Sequence, residues 1–228
     1  MNRDDDPELI PRLLEQRGYT RVVRSLAGHE RPEVSGYKAP PNGADVTGYV
    51  WLEKKQQQDA YDVAFGVTCN MAVELLGAAD HSLRGSTAIP AHVLDIPRVA
   101  LFSAGRLLKC ALINIPDRSD PRTLHQLLDE LVSKVLRPFV EEPNSCPDVL
   151  TTLRRNDMPF EWAATNPVKR AIHLAATARV LGIHLQEVET ELRAVRDSLR
   201  GVLARQEVWD SVIRSVVAAF WSPIRARN

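Results

Sequence analysis

From Tyr61 to Cys69 every second side chain is apolar: Tyr61, Val63, Phe65, Val67 and Cys69 alternate with Asp62, Ala64, Gly66 and Thr68. A period of two sends the first set to one face of a strand and the second set to the other. This stretch therefore predicts a sheet with one face on a core. Val46 to Gln56 alternates too, with Val46, Val50 and Leu52 on one side and Tyr49 and Trp51 on the other. Two such runs so close together predict an antiparallel hairpin turning across residues 57 to 60.

The period changes in the second half. After Asp120-Pro121, an N-cap residue and a first-turn proline, Leu124, Leu127, Leu128, Leu131, Val132, Val135, Leu136, Phe139 and Val140 recur at helical spacing. Pro138 lies inside that stripe, where its ring should kink or end the helix. A short helix is expected over Pro147 to Arg155. Another opens at Asn166-Pro167 and closes at Gly182, and its Ala171, Ala175, Ala176 and Ala178 would admit a close neighbour. Leu185 to Leu203 keeps a near-heptad spacing, and Val208 to Phe220 makes a last helix before Pro223.

Before the hairpin, Asp6-Pro7 caps a helix over about residues 7 to 17 that Gly18 stops. Thr20 to Ser25 is a plausible edge strand. Residues 26 to 45, rich in glycine and proline, read as a long connection. After the hairpin, Met71 to Leu76 makes one or two helical turns ended by Gly77, and the segment through Pro97 is irregular. Val99 to Phe102 and Leu107 to Ile115 read as a second hairpin around Ser103, Ala104 and Gly105.

The expected class is α+β: a small, mostly antiparallel sheet of four to five strands, packed by a C-terminal set of amphipathic helices. A chain of 228 residues, 44% hydrophobic and 25% charged, can bury a core without staples. It is read as one domain over residues 1–228, sheet-rich over 1–118 and helical over 119–228.

Lys plus Arg and Asp plus Glu number 29 each, so no net field draws the chain to nucleic acid or an anionic membrane. The polar, acidic start MNRDDDPELI is not a secretory leader. No apolar run nears the roughly 20 residues of a membrane span. Cytoplasmic location and no membrane association are the expectations. Cys69, Cys110 and Cys146 are odd in number and widely spaced, so they are expected to be reduced, buried thiols.

Chemistry-bearing motifs are scarce. The six histidines are scattered, no G-x-S-x-G elbow occurs, and the glycines form neither G-x-G-x-x-G nor a Walker loop. His125 and Asp129, four apart, fit a solvated helix face better than a metal site. No catalytic residue, cofactor or metal is therefore assigned, and the chain is read as non-enzymatic.

Binding residues are easier to nominate. Tyr49 and Trp51 share one side of a strand; either the C-terminal helices roof them or they form an aromatic anchor for a partner. Trp162, beside Pro159 and Phe160, is a second anchor. Arg193, Arg196 and Arg200 project from one helix face with Glu187, Glu189 and Glu191 before them. That polarity suits the helix dipole; a phosphate-binding stripe is the other reading.

The opening helix ending in Gly18-Tyr19, the hairpin with Tyr61 to Val67, and Leu136-Arg137-Pro138-Phe139-Val140-Glu141 closing a long helix together resemble a family of bacterial domains of unknown function. Some members sit beside polymorphic toxins as immunity proteins or in related conflict systems. The resemblance spans roughly residues 7 to 200. It implies an immunity-type factor that neutralises or docks onto a protein partner, a toxin or a complex subunit. The alternatives are a nucleic-acid-binding or enzymatic factor with a site assembled from distant residues, nucleic acid being the disfavoured partner, and a structural subunit of a larger assembly.

Overall fold

The computed structural model describes residues 9–22, 34–55, 60–90, 93–94, 100–108, 113–114, 121–155, 166–197 and 205–221. Helix α1 (Leu9–Gln16) buries Ile10 and Leu14 completely. It ends where the sequence predicts: Gly18 has φ +82°, a left-handed conformation that only glycine adopts cheaply. The Tyr19 N–H then donates back to the Leu14 carbonyl at 3.0 Å.

Strands β1 (Thr20–Val22), β2 (Val34–Lys38), β3 (Val46–Lys55) and β4 (Ala60–Cys69) follow as an antiparallel meander. The β3–β4 hairpin is paired along its whole length, from Val46 opposite Cys69 to Lys55 opposite Ala60. Strand β2 corrects the expectation of a long connection over residues 26 to 45. Its signal is hidden by Gly36, which is tightly packed: a Cβ there would meet Trp51 Nε1 at 3.2 Å and the Val22 carbonyl oxygen at 3.3 Å.

Helix α2 (Asn70–Arg84) continues directly from β4 and runs through Gly77, where a stop was expected. A glycine inside a helix costs about 1 kcal/mol. Burying the stripe Ala72, Leu76, Ala79 and Leu83 outweighs this, because one leucine alone contributes roughly 1.5–3 kcal/mol. The second expected hairpin is not formed either among the described residues. Strand β5 (Phe102–Ser103) pairs with Ala64 and Phe65, and strand β6 (Ile113–Asn114) pairs with Ala60 and Tyr61. Both therefore line the free edge of β4. Between them the Ser103 hydroxyl accepts the Arg106 N–H at 3.3 Å and caps the short helix α3 (Ala104–Leu107), which turns the chain away from a hairpin.

Helix α4 (Pro121–Leu131) passes into a ten-residue π-helix, Val132–Glu141. Pro138 neither ends nor interrupts it. In the wider turn an N–H bonds five residues back, as Glu142 does to the Arg137 carbonyl at 2.9 Å. The proline ring is thereby relieved of the carbonyl four residues earlier that would break an α-helix. The π-helix lies on one face of the sheet. Phe139 stacks on Phe65 with ring centroids 5.7 Å apart, and Phe102 completes the row at 5.8 Å from Phe65. Val140 comes so close to β3 that a Cβ on Gly48 would sit 2.5 Å from its carbonyl oxygen.

Helix α5 (Cys146–Arg154) starts at a capping box in which Ser145 and Asp148 satisfy each other's backbone groups. Its first residue corrects the cysteine expectation: Cys146 is joined by a disulfide to Cys69 at the end of β4. Wide spacing in the chain is no bar, because these two elements are neighbours in space. Cys110 lies outside the described residues, as do the Asp6-Pro7 cap, residues 56–59, Asp120, Trp162 and the end of the heptad stretch at Leu203.

Helix α6 (Pro167–Val180), capped by Asn166, is buried at every position from Val168 to Ala178. Its alanines allow α2, α5, α7 (Leu185–Asp197) and α8 (Gln206–Trp221) to pack around it. Arg170 is buried with them and donates Nε to the Leu153 carbonyl at 2.8 Å and a terminal nitrogen to that of Arg155, so its charge sits on the C-terminus of α5. Trp209 of α8 donates Nε1 to the Leu192 carbonyl of α7 at 2.6 Å. The expected α+β class is what the chain adopts, with the main helices C-terminal to the sheet. No described helix is long and apolar enough to cross a membrane.

Candidate functional site

Alternation along β3 decides where the nominated aromatics point. Gly48 meets Val140 of the π-helix, so Val46, Val50 and Leu52 share that face and Tyr49, Trp51 and Glu53 lie on the opposite one. Tyr49 and Trp51 meet there, with ring centroids 5.1 Å apart. The π-helix thus roofs the other side of the strand. Trp51 is nonetheless buried, and its Nε1 lies beside Gly36 of β2. Tyr49 is half-buried beside Lys38, its register partner, which is exposed.

The strand register adds a charge that the sequence reading missed. Glu53 stands directly opposite Asp62, and both are half-buried. Two carboxylates on directly opposed positions disfavour each other and make one end of the aromatic row acidic. At the other end Thr47 donates its hydroxyl to Asn70 Oδ1 at 2.9 Å.

The arginine stripe resolves differently. Arg193 is exposed and paired with Glu189 one turn earlier at 3.3 Å. Glu187 and Glu191 are both engaged by Arg154, at 3.0 and 2.5 Å. Arg196 lies in α7, but its side chain is outside the described residues, as is the whole of Arg200. Trp162 lies outside the described residues too.

A second cluster was not singled out in the sequence. Lys169 and His173, one turn apart on α6, line a cleft against Leu76, Asp80 and Leu83 of α2, with Val93, Leu94 and Ile172 completing the walls. The cleft holds about 30 Å³ of interior space. Lys169 is 8% exposed and His173 is 4% exposed. Burial pushes the Lys169 ammonium down to about 8. Burial, and then the neighbouring Lys169 charge, push His173 down to about 3. The Asp80 carboxylate at the rim is paired with Arg84 at 2.8 Å. Spacing alone could not find this pair, since i, i+4 polar residues ordinarily mark a solvated face. Among the described residues no three His, Cys, Asp or Glu side chains gather as a metal site. No protein-family model matches the chain, and neither does any curated protein or solved structure.

Proposed function

We propose that this chain is a protein-binding factor, of the immunity type, that docks onto a partner through the sheet face where Tyr49, Glu53 and Asp62 are half-buried and Trp51 packs beneath Tyr49. The observation that carries the reading is the row itself: two touching aromatic rings that end in a pair of opposed carboxylates. Aromatic side chains dominate binding energy at protein interfaces. The Asp62 carboxylate at the end of the row favours a segment carrying arginine or lysine, whose cation is also attracted to the half-buried Tyr49 ring. Protein is favoured over nucleic acid as the partner because this face ends in acid and Arg193 is already engaged by Glu189.

A cytoplasmic setting is the expectation from the sequence. The Cys69–Cys146 bond argues for an oxidising compartment instead, and thiol counting on freshly isolated protein decides between the two.

The test is capture by the tagged chain at native expression level, read by mass spectrometry. One dominant protein is expected, its recovery falling about tenfold with Tyr49→Ala and with Asp62→Lys. Undiminished capture by both variants, or no enriched protein, overturns the reading.

A further inference from the structure

Asn42 and Gly43 stand exposed in the loop between β2 and β3, and a separate demand of the fold fixes each of them. The Asn42 amide donates to the backbone carbonyls of Glu141 and of Glu142, the latter at 3.1 Å. These carbonyls lie at the C-terminal end of the π-helix, where acceptors lack helical partners and the dipole is negative. Gly43 has φ +103°, and a Cβ there would meet the Asn144 carbonyl oxygen at 2.8 Å, so a side chain is strained and crowded at this position. Together the two demands build an Asn-Gly step, and of the eight asparagines in the chain only Asn42 is followed by glycine. An asparagine side-chain carbonyl carbon is open to attack by the backbone nitrogen that follows it, and glycine has no Cβ to shield that nitrogen. Among the described residues nothing accepts the Gly43 N–H. At the exposed Asn144-Ser145 step the corresponding N–H, that of Ser145, donates to Asp148 Oδ2 at 3.1 Å.

We propose that Asn42-Gly43 is a self-modification site, at which the Gly43 nitrogen closes on the Asn42 side chain and the product releases the loop from the π-helix. The Gly43 nitrogen gives its proton to solvent and bonds to Asn42 Cγ. The Cγ–Nδ2 bond breaks, and Nδ2 takes up a proton and leaves as ammonia, so that a succinimide ring remains. Water then opens the ring. Attack at Cγ breaks the new bond and gives aspartate; attack at the backbone carbonyl carbon breaks the original peptide bond and gives isoaspartate, in which the chain runs through the side chain. One amide and one water become one carboxyl group and one ammonia, with no oxidant or reductant. Either product lacks the amide donor and carries a negative charge beside the Glu141 and Glu142 carbonyls, at the end of a helix where negative charge is unfavourable. Isoaspartate also lengthens the chain next to Gly43, which is packed against Asn144. The clasp between loop and π-helix therefore has a chemical lifetime.

Trypsin places Asn42 and Asn144 on separate peptides, residues 39–54 and 135–154, neither of which holds another asparagine or a glutamine. Full-length protein is held at neutral and at mildly alkaline pH, then reduced, digested and read by mass spectrometry against an unincubated sample. The 39–54 peptide is expected to gain about 1 Da, about tenfold faster than the 135–154 peptide. The gain should be faster at the higher pH, because the attacking nitrogen must lose its proton. Equal rates at the two asparagines overturn the self-modification proposal without any variant. The converted protein, separated by its added negative charge, should show about tenfold faster deuterium exchange over residues 139–142, with exchange in the β3–β4 hairpin unchanged. Asn42→Asp makes the same charge change without passing through the ring and should give the same rise. Exchange over residues 139–142 that stays at the wild-type rate in either protein overturns the release of the loop.

Discussion

Arg17 and Glu141, 124 positions apart in the chain, close a two-pronged ion pair, with Arg17 Nε 2.8 Å from Oε1 and a terminal nitrogen 2.5 Å from Oε2. The Tyr19 hydroxyl also donates to Oε1, at 3.2 Å, and Asn42 donates its amide to the Glu141 backbone carbonyl. Burial, and then the carboxylate, hold the Tyr19 hydroxyl well above its ordinary range. The last residue of the π-helix is thus tied to the turn that follows α1 and to the loop before β3.

This geometry separates the pair from an ordinary surface contact. A bidentate, part-buried arginine–carboxylate pair should show a coupling of about 1 kcal/mol in a double-mutant cycle of Arg17→Met and Glu141→Gln followed by urea unfolding. The more exposed Arg84–Asp80 pair should show close to none.

Gly48→Ala should destabilise the protein by roughly 2 kcal/mol. The new methyl would stand 2.5 Å from the Val140 carbonyl oxygen and 2.7 Å from its Cγ1, with backbone rather than a flexible side chain in the way. Gly85→Ala is the control: φ is −72° and its nearest contact is 3.4 Å, so a thermal melt should move little.

Opening the Cys69–Cys146 bond releases a cross-link between residues 77 apart, and a loop of that length corresponds to about 4 kcal/mol in the chain-entropy account. Denaturant midpoints of Cys69→Ala/Cys146→Ala and of reduced wild-type protein should both fall by a similar amount. Equal midpoints with and without reductant would show that the bond contributes nothing.

Lys169 and His173 make stability depend on pH with the same sign. Both release protons more readily in the folded chain than in the unfolded one, so the unfolded state binds more protons and stability rises with pH in each window. For His173 stability is complete above its ordinary 6.5 and is lost as pH falls toward about 3. For Lys169 it rises from about pH 8 up to its ordinary 10.5. Lys169→Met should therefore stabilise the chain on the order of 2 kcal/mol below pH 8, and the gain should shrink as pH approaches 10.5. A gain independent of pH would assign the effect to packing alone.

Elements whose periodicity is local were legible in advance. Alternation over Tyr61 to Cys69 marked β4 and its buried face; Asn166-Pro167 and Gly182 marked both ends of α6. Strand β2 was not legible, because Gly36 interrupts its pattern for the sake of an indole fifteen residues later. Gly77 looked like a stop because the burial that outweighs its helix cost comes from α6 and α8. The aromatic pair at Tyr49 and Trp51 could be nominated from alternation, whereas the acidic end of that row depends on which residue of β4 faces Glu53.

The sequence by itself determined the class, the strand faces and most helix boundaries, since these follow from hydrophobic period, capping residues and backbone preferences within a few neighbours. Only the tertiary structure decided that β5 and β6 both join β4, that Cys69 meets Cys146, and that Lys169 and His173 turn into a cleft rather than to water. Those outcomes depend on which distant surfaces come together, and an i, i+4 pair or a lone cysteine carries no mark of its future neighbour.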